Sequence, residues 1–143
     1  MSREYDERQL ESRGRAYRVG FLSTATINIA AAVAMFGDVV PLQYGPFIME
    51  ASAFIGITVF AVMTICSDSY FGKINQIKRY PVLLLIIIAV NGAALVKGTE
   101  SWAPENLLTT PAANQLLLIL TFSVILIAVV WKMWKERNEE DEE

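Results

Sequence analysis

The 143 residues include no histidine and one cysteine, Cys66. Without histidine no Ser-His or Cys-His pair can form, which excludes the commonest nucleophilic machinery. A lone cysteine closes no intramolecular disulfide and leaves most metal-site spacings unfilled. Cys66 reads as a small apolar residue at a membrane interface, with S-acylation as the alternative. Asp68 and the acids of the tail do not form a metal-ligand pattern. The sequence therefore leads us to expect no enzyme, no metal and no cofactor. Charge is scarce too. Charged residues make up 19% of the chain and apolar residues 54%, against about 25% and 45–50% in an ordinary soluble domain.

What charge there is lies between four long apolar runs. A bilayer core about 30 Å thick needs about 20 helical residues to cross it. Four such crossings use most of the chain and leave no room for a soluble catalytic domain. The expected fold is all-α: an integral membrane bundle of four transmembrane helices with short loops. Residues 1–18 read as a cytoplasmic segment and 19–130 as the transmembrane domain. The crossings fall near 19–37, 47–66, 82–97 and 112–131, and 131–143 is a charged tail.

Local signals mark the boundaries. In the first segment Glu4 and Arg8, and Glu11 and Arg15, have the favourable acid-first i,i+4 spacing of a short exposed helix, weakened by Gly14. Asp38 to Pro41 and Tyr44-Gly45-Pro46 make a turn-rich connection, and Pro46 suits a helix start. Tyr70, Phe71, Ile74 and Ile77 recur at helical spacing among Lys73, Lys78 and Arg79, so 68–80 reads as an interfacial helix. The third apolar run, Val82 to Val96, covers only about 22 Å and needs extension or a thinner bilayer. Thr109 or Thr110 before Pro111 reads as the fourth helix start. Trp131 and Trp134, beside Lys132, Lys135 and Arg137, mark its interfacial end. The closing NEEDEE run reads as disordered.

The basic residues set an orientation. With four crossings the N-terminus, the 67–81 loop and the C-terminus share one side, which carries five, three and three basic residues, while Lys97 stands alone on the other. The positive-inside rule then puts both termini in the cytoplasm. The five arginines before Val19 need no nucleic acid to explain them, and Glu4, Asp6, Glu7 and Glu11 among them weaken a basic-arm reading. Ala32-Val33-Ala34 follows an apolar stretch as in a signal peptide, but the long acid-containing segment ahead of it argues against cleavage.

Tyr5-Asp6-Glu7-Arg8-Gln9, then Arg13-Gly14-Arg15-Ala16-Tyr17 and Gly20-Phe21, resemble small four-helix membrane proteins found mostly in Gram-positive bacteria. Asp68-Ser69-Tyr70-Phe71 is similar to another part of that pattern. The family pattern has lysine where Arg15 stands. The resemblance implies a bacterial plasma membrane and supplies no catalytic residue, because the family has no assigned function. Both motif stretches fall on the cytoplasmic side by the charge count. Asp6, Glu7, Arg8, Asp68 and Tyr70 are therefore candidates for one docking face, with simple capping and interfacial anchoring as the plainer reading.

Polar residues within the crossings are the remaining candidates. Asn28 and Asn91 each lie nine residues into a crossing of the same direction, a rise of about 13–14 Å, close to the midplane. Buried asparagine is costly in hydrocarbon without a partner, so the pair is expected to tie the first and third helices, or two subunits, or else to contact a substrate or ion. Glu50 lies about 6 Å from the outer end and can reach water. With Lys97 it could form an ion pair or line a vestibule. Small residues at i,i+4, namely Ala30 and Ala34, Ser52 and Gly56, and Ala89 and Ala93, permit close helix contact. Small multidrug transporters rely on a glutamate deep in the first helix, which this chain lacks. The expected role is a small accessory or regulatory membrane subunit whose partners are the lipid bilayer and another membrane protein or further copies of itself. The alternatives are a small oligomeric transporter or channel, and an immunity or membrane-stress protein.

Overall fold

Apolar runs that meet no proline or turn signal continue as helix, and they set the architecture. The computed structural model describes residues 7–67, 80–97 and 111–140. Four long helices account for nearly all of these: α1 (Glu7–Phe36), α2 (Gly45–Cys66), α3 (Tyr80–Lys97) and α4 (Pro111–Glu140). A single 3-10 turn, Leu42–Tyr44, leads into α2. All four helices are long and apolar enough to cross a membrane by length and composition.

Four long helices come out over the four apolar runs, and each is longer than its run. From Glu7 onward the polar segment and the first apolar run form one helix. The 30 residues of α1 span about 45 Å, against a hydrocarbon core of about 30 Å. Gly14 lies inside this helix and does not break it, since one interior glycine costs only about 1 kcal/mol. At the other end of the chain α4 runs through Trp131 and Trp134 to Glu140, so the first residues of the NEEDEE run are helical, contrary to expectation. The third helix is also longer than its apolar run. α3 starts at Tyr80, with Pro81 in its first turn, and ends at Lys97. Its 18 residues cover about 27 Å. The segment proposed as an interfacial helix lies outside the described residues up to Tyr80.

A turn of defined geometry closes α1. The Val39 N–H donates to the Ala34 carbonyl (2.9 Å) and the Asp38 N–H to the Met35 carbonyl (3.2 Å). These are the 6→1 and 5→2 bonds of a Schellman cap. Its left-handed residue is Asp38, with φ 55°, rather than the adjacent Gly37.

The helices lie in a row. α1 runs antiparallel along α2, α2 also meets α4, and α4 meets α3. The outer members α1 and α3 do not run along one another, so the row is not closed into a ring. Burial follows this order. Leu84 is the buried residue of α3, and Ala16 and Gly20 are those of α1. The inner helices bury more, with Ser52, Gly56, Thr64 and Ile65 on α2. Ala112, Ala113, Thr121, Ala128, Val129 and Lys132 do so on α4. The apolar core gathers Ile65, Leu84, Ala128 and Val129, at the end where α1 carries its arginines. Lipid tails are as apolar as these side chains, so close van der Waals contact and interhelical hydrogen bonds hold such a row together, not a hydrophobic driving force.

Candidate functional site

α1 and α2 approach closely, and glycine makes this contact. A Cβ built on Gly20 would meet the Gly56 carbonyl at 2.7 Å, and one built on Gly56 would overlap Thr24 Oγ1. With two backbones this near, short polar side chains reach across. Thr24 Oγ1 donates to the Ser52 carbonyl (3.1 Å) and shares its proton with the Gly20 carbonyl one turn back (3.2 Å). Asn28 Nδ2 donates to Ser52 Oγ (2.6 Å) and to the Thr24 carbonyl (2.9 Å). Ser52 Oγ passes its own proton to the Met49 carbonyl (2.8 Å), and Ser52 is fully buried. Both amide protons of Asn28 are thus used.

On α1 these residues form the stripe Gly20, Thr24, Asn28 at i, i+4, i+8. On α2 they form Ser52, Gly56, Phe60. Rows four apart lie on one helix face, so two such rows can run against each other. The stripe continues toward the basic end of α1, where Tyr17 meets Phe60 edge to face, with ring centroids 6.1 Å apart. The pair Ser52 and Gly56 was readable in the sequence as a close-contact motif. Its partners Gly20 and Thr24 were not read as a helix contact, although the same spacing from Asn28 would have found them.

The two midplane asparagines do not meet. Asn91 Nδ2 donates to the Ile87 carbonyl of its own helix (2.8 Å). The expected tie between the first and third helices is therefore absent within one chain, because the row places α2 and α4 between them. Standing equally far into their apolar runs does not make the two residues neighbours. Glu50 is half-buried and Lys97 exposed, one near the start of α2 and the other at the last residue of α3. No ion pair joins them among the described residues. Glu7 and Arg8 are exposed in the first turn of α1. Asp6, Asp68 and Tyr70 lie outside the described residues.

Two depressions flank Phe60 on one face of α2. One, of about 260 Å³, lies between α1 and α2 and is lined by Tyr17, Gly20, Phe21, Gly56, Ile57 and Phe60 among others. The other, of about 240 Å³, lies among α2, α3 and α4, where Phe60, Thr64, Tyr80, Leu84, Ile125 and Val129 line it. Ile57 and Phe60 border both. Their walls are almost wholly apolar.

A buried ion pair stands near the end of α4. Lys132 Nζ lies 3.4 Å from Glu136 Oε1, with the two side chains 8% and 18% exposed. The second carboxylate oxygen, Glu136 Oε2, is buried without a hydrogen-bond partner. The sequence marked Lys132 only as an interfacial anchor.

These features define an all-helical chain with the make-up of a multi-pass membrane protein. A scan against protein-family models and searches of curated proteins and of solved structures each find no match.

Proposed function

We propose that this chain is a small accessory or regulatory subunit in a bacterial plasma membrane, with both termini in the cytoplasm and no chemistry of its own. It acts by laying its outer helices against another membrane protein. The observation that supports this most is the open row. α3 buries one residue and α1 two, so each presents most of its length for contact, while α2 and α4 supply the internal framework. The polar residues at midplane depth support the same reading. Asn28 is committed to Ser52 and Thr24, and such interhelical bonds are structural glue in many membrane proteins. A transporter reading would need Asn28, Asn91 or Glu50 gathered along one polar path. The two depressions are instead apolar.

The bacterial host rests on the resemblance of the Tyr5-to-Gln9 and Arg13-to-Tyr17 stretches, and the orientation on the eleven basic residues set against Lys97. The test is the native mass of the complex, extracted gently from its own membrane at natural expression level. A stoichiometric second protein is the expected result. A mass made only of copies of this chain overturns the accessory reading and favours a small oligomeric transporter or channel.

A further inference from the structure

We infer that the groove between α2 and α3 seats one transmembrane helix of the partner protein. That helix carries a hydrogen-bonding side chain opposite Asn91 and, seven residues away, a lysine or arginine opposite Glu50. The inference rests on the subunit reading above and names the face and the chemistry of the contact.

α2 and α3 both pack on α4 and do not run along one another, so a groove floored by α4 stays open between them. At its basic end Ala61 and Ile65 of α2 face Tyr80 and Leu84 of α3, with Ile125 and Val129 of α4 as the floor. Ile57 continues the α2 wall. Residues seven apart lie on nearly the same helix face, about 10 Å apart along the axis. Asn91 is seven past Leu84, and Glu50 is seven before Ile57. Both therefore continue the groove away from its basic end. Leu84 and Thr64 line the same depression, and Ile57 is seven before Thr64. Asn91 is thus level with Ile57, and Glu50 lies about 10 Å further on.

These two groups supply the chemistry. Asn91 spends one amide proton on the Ile87 carbonyl. Among the described residues its other proton and its oxygen have no partner. The oxygen is also open to the surface, because the sealed atoms without a partner are Gln115 Oε1 and Glu136 Oε2. Glu50 is half-buried and belongs to neither ion pair among the described residues. An acid within an apolar run is costly unless a cation faces it. One bound ion cannot answer two groups about 10 Å apart, whereas positions i and i+7 of a single helix repeat that spacing. A second copy of this chain does not meet the requirement. Its basic residue at that end is Lys97, and the residue seven before it is the apolar Val90.

The experiment is native mass spectrometry of the complex from its own membrane, with sequencing of whatever protein is retained. Asn91→Leu should lower retention about threefold, the factor for one average interhelical bond. Glu50→Lys should lower it at least about tenfold, because like charges then meet. Thr26→Val, at an exposed position on α1, should leave it unaltered. The retained protein should have an apolar segment with a hydroxyl or amide residue and a lysine or arginine seven apart. Replacing that cation by glutamate should restore binding to Glu50→Lys. Each released variant should still unfold as the wild type does, which separates lost docking from lost folding. A second protein held equally by the wild type and both groove variants overturns the proposal and leaves the subunit reading in place. So does a charge reversal that fails to restore binding. No second protein on the wild-type chain overturns the subunit reading and the proposal with it.

Discussion

Asn28 Nδ2 reaches across from α1 to the Ser52 hydroxyl of α2 at 2.6 Å, whereas Asn91, equally far into its own apolar run, bonds among the described residues the Ile87 carbonyl one turn back on its own helix. The two residues look equivalent in the sequence and should behave differently when replaced. Asn28→Leu removes an interhelical bond and leaves the buried Ser52 with one partner fewer. It should cost about 0.6 kcal/mol, the average measured for such bonds, and no more than about 1.7 kcal/mol. Asn91→Leu removes a polar side chain from hydrocarbon and breaks no bond between helices, so stability should be unchanged or higher. Unfolding in mixed micelles with increasing denaturing detergent would compare them. Equal losses would mean that Asn91 has an interhelical partner in the assembled state.

The glycine contact sets a steeper requirement. A methyl group at position 56 would overlap Thr24 Oγ1, and the Thr24 hydroxyl is itself held by the Ser52 and Gly20 carbonyls. Gly56→Ala must push α1 away from α2 or turn Thr24 out of its bonds. Overpacking of this kind costs about 1–3 kcal/mol. Gly14→Ala, where a Cβ would meet nothing within 4 Å, should gain up to about 1 kcal/mol through helix propensity. The pair of variants separates the contact role of glycine from its backbone cost. A mild Gly56→Ala paired with a stabilising Gly14→Ala would show that α1 and α2 sit further apart than described.

Much of this fold was legible because hydrocarbon imposes one demand, about 20 apolar helical residues per crossing. The four long apolar helices followed directly. The helix ends were less legible. Glu7 to Arg18 and Asn138 to Glu140 carry no proline and no glycine cap, so nothing local stops a helix that the membrane has already nucleated. The spatial order was not legible at all. Helices that are apolar around their whole circumference do not advertise which side meets a neighbour. Position along the helix could be read for Asn28 and Asn91, but azimuth could not. Only the small residues carried that information. The spacing Gly20, Thr24, Asn28 against Ser52, Gly56 marks the faces that meet, once it is known that these two helices are adjacent.

The cap of α1 offers a gain. Asp38 takes the left-handed conformation, φ 55°, beside a glycine that does not use its own freedom. A non-glycine residue there costs roughly 1 kcal/mol, and an acid at a helix C-terminus adds an unfavourable charge. Asp38→Gly should therefore stabilise the chain by up to about 1 kcal/mol, and Asp38→Val should destabilise it, since β-branched residues tolerate this region worst. The same detergent titration reads both. A destabilising Asp38→Gly would reveal an interaction of the carboxylate that outweighs the strain.

Two ion pairs of identical spacing sit in opposite environments. Arg15 and Glu11 are 71% and 76% exposed, and Lys132 and Glu136 are 8% and 18% exposed. Exposed i,i+4 pairs contribute about 0.3–0.5 kcal/mol at most. Glu136→Ala takes a partner from a buried ammonium and should cost about 1.5–3 kcal/mol, the range for a hydrogen bond to a charged group. Glu11→Ala should be close to neutral, and raising the salt concentration should erase what little it costs while leaving the Glu136→Ala loss in place. Similar costs for both would mean that water reaches Lys132.

Orientation can be read from the single cysteine. Cys66 is exposed at the last residue of α2, at the same end of the row as the arginines of α1 and Lys132 of α4. Its position makes it a reporter for the basic side without any added label. A membrane-impermeant thiol reagent should modify Cys66 in inside-out vesicles and leave it untouched in right-side-out ones. The thiol lies one residue from the polar segment that follows α2, so slow reaction from the permitted side is expected, and prior treatment with a permeant blocker should abolish it. Modification from the outer face would reverse the assignment of both termini. It would also move the basic residues to the side where the positive-inside rule forbids them, so the chain's insertion would then have to be set by something other than its own charge.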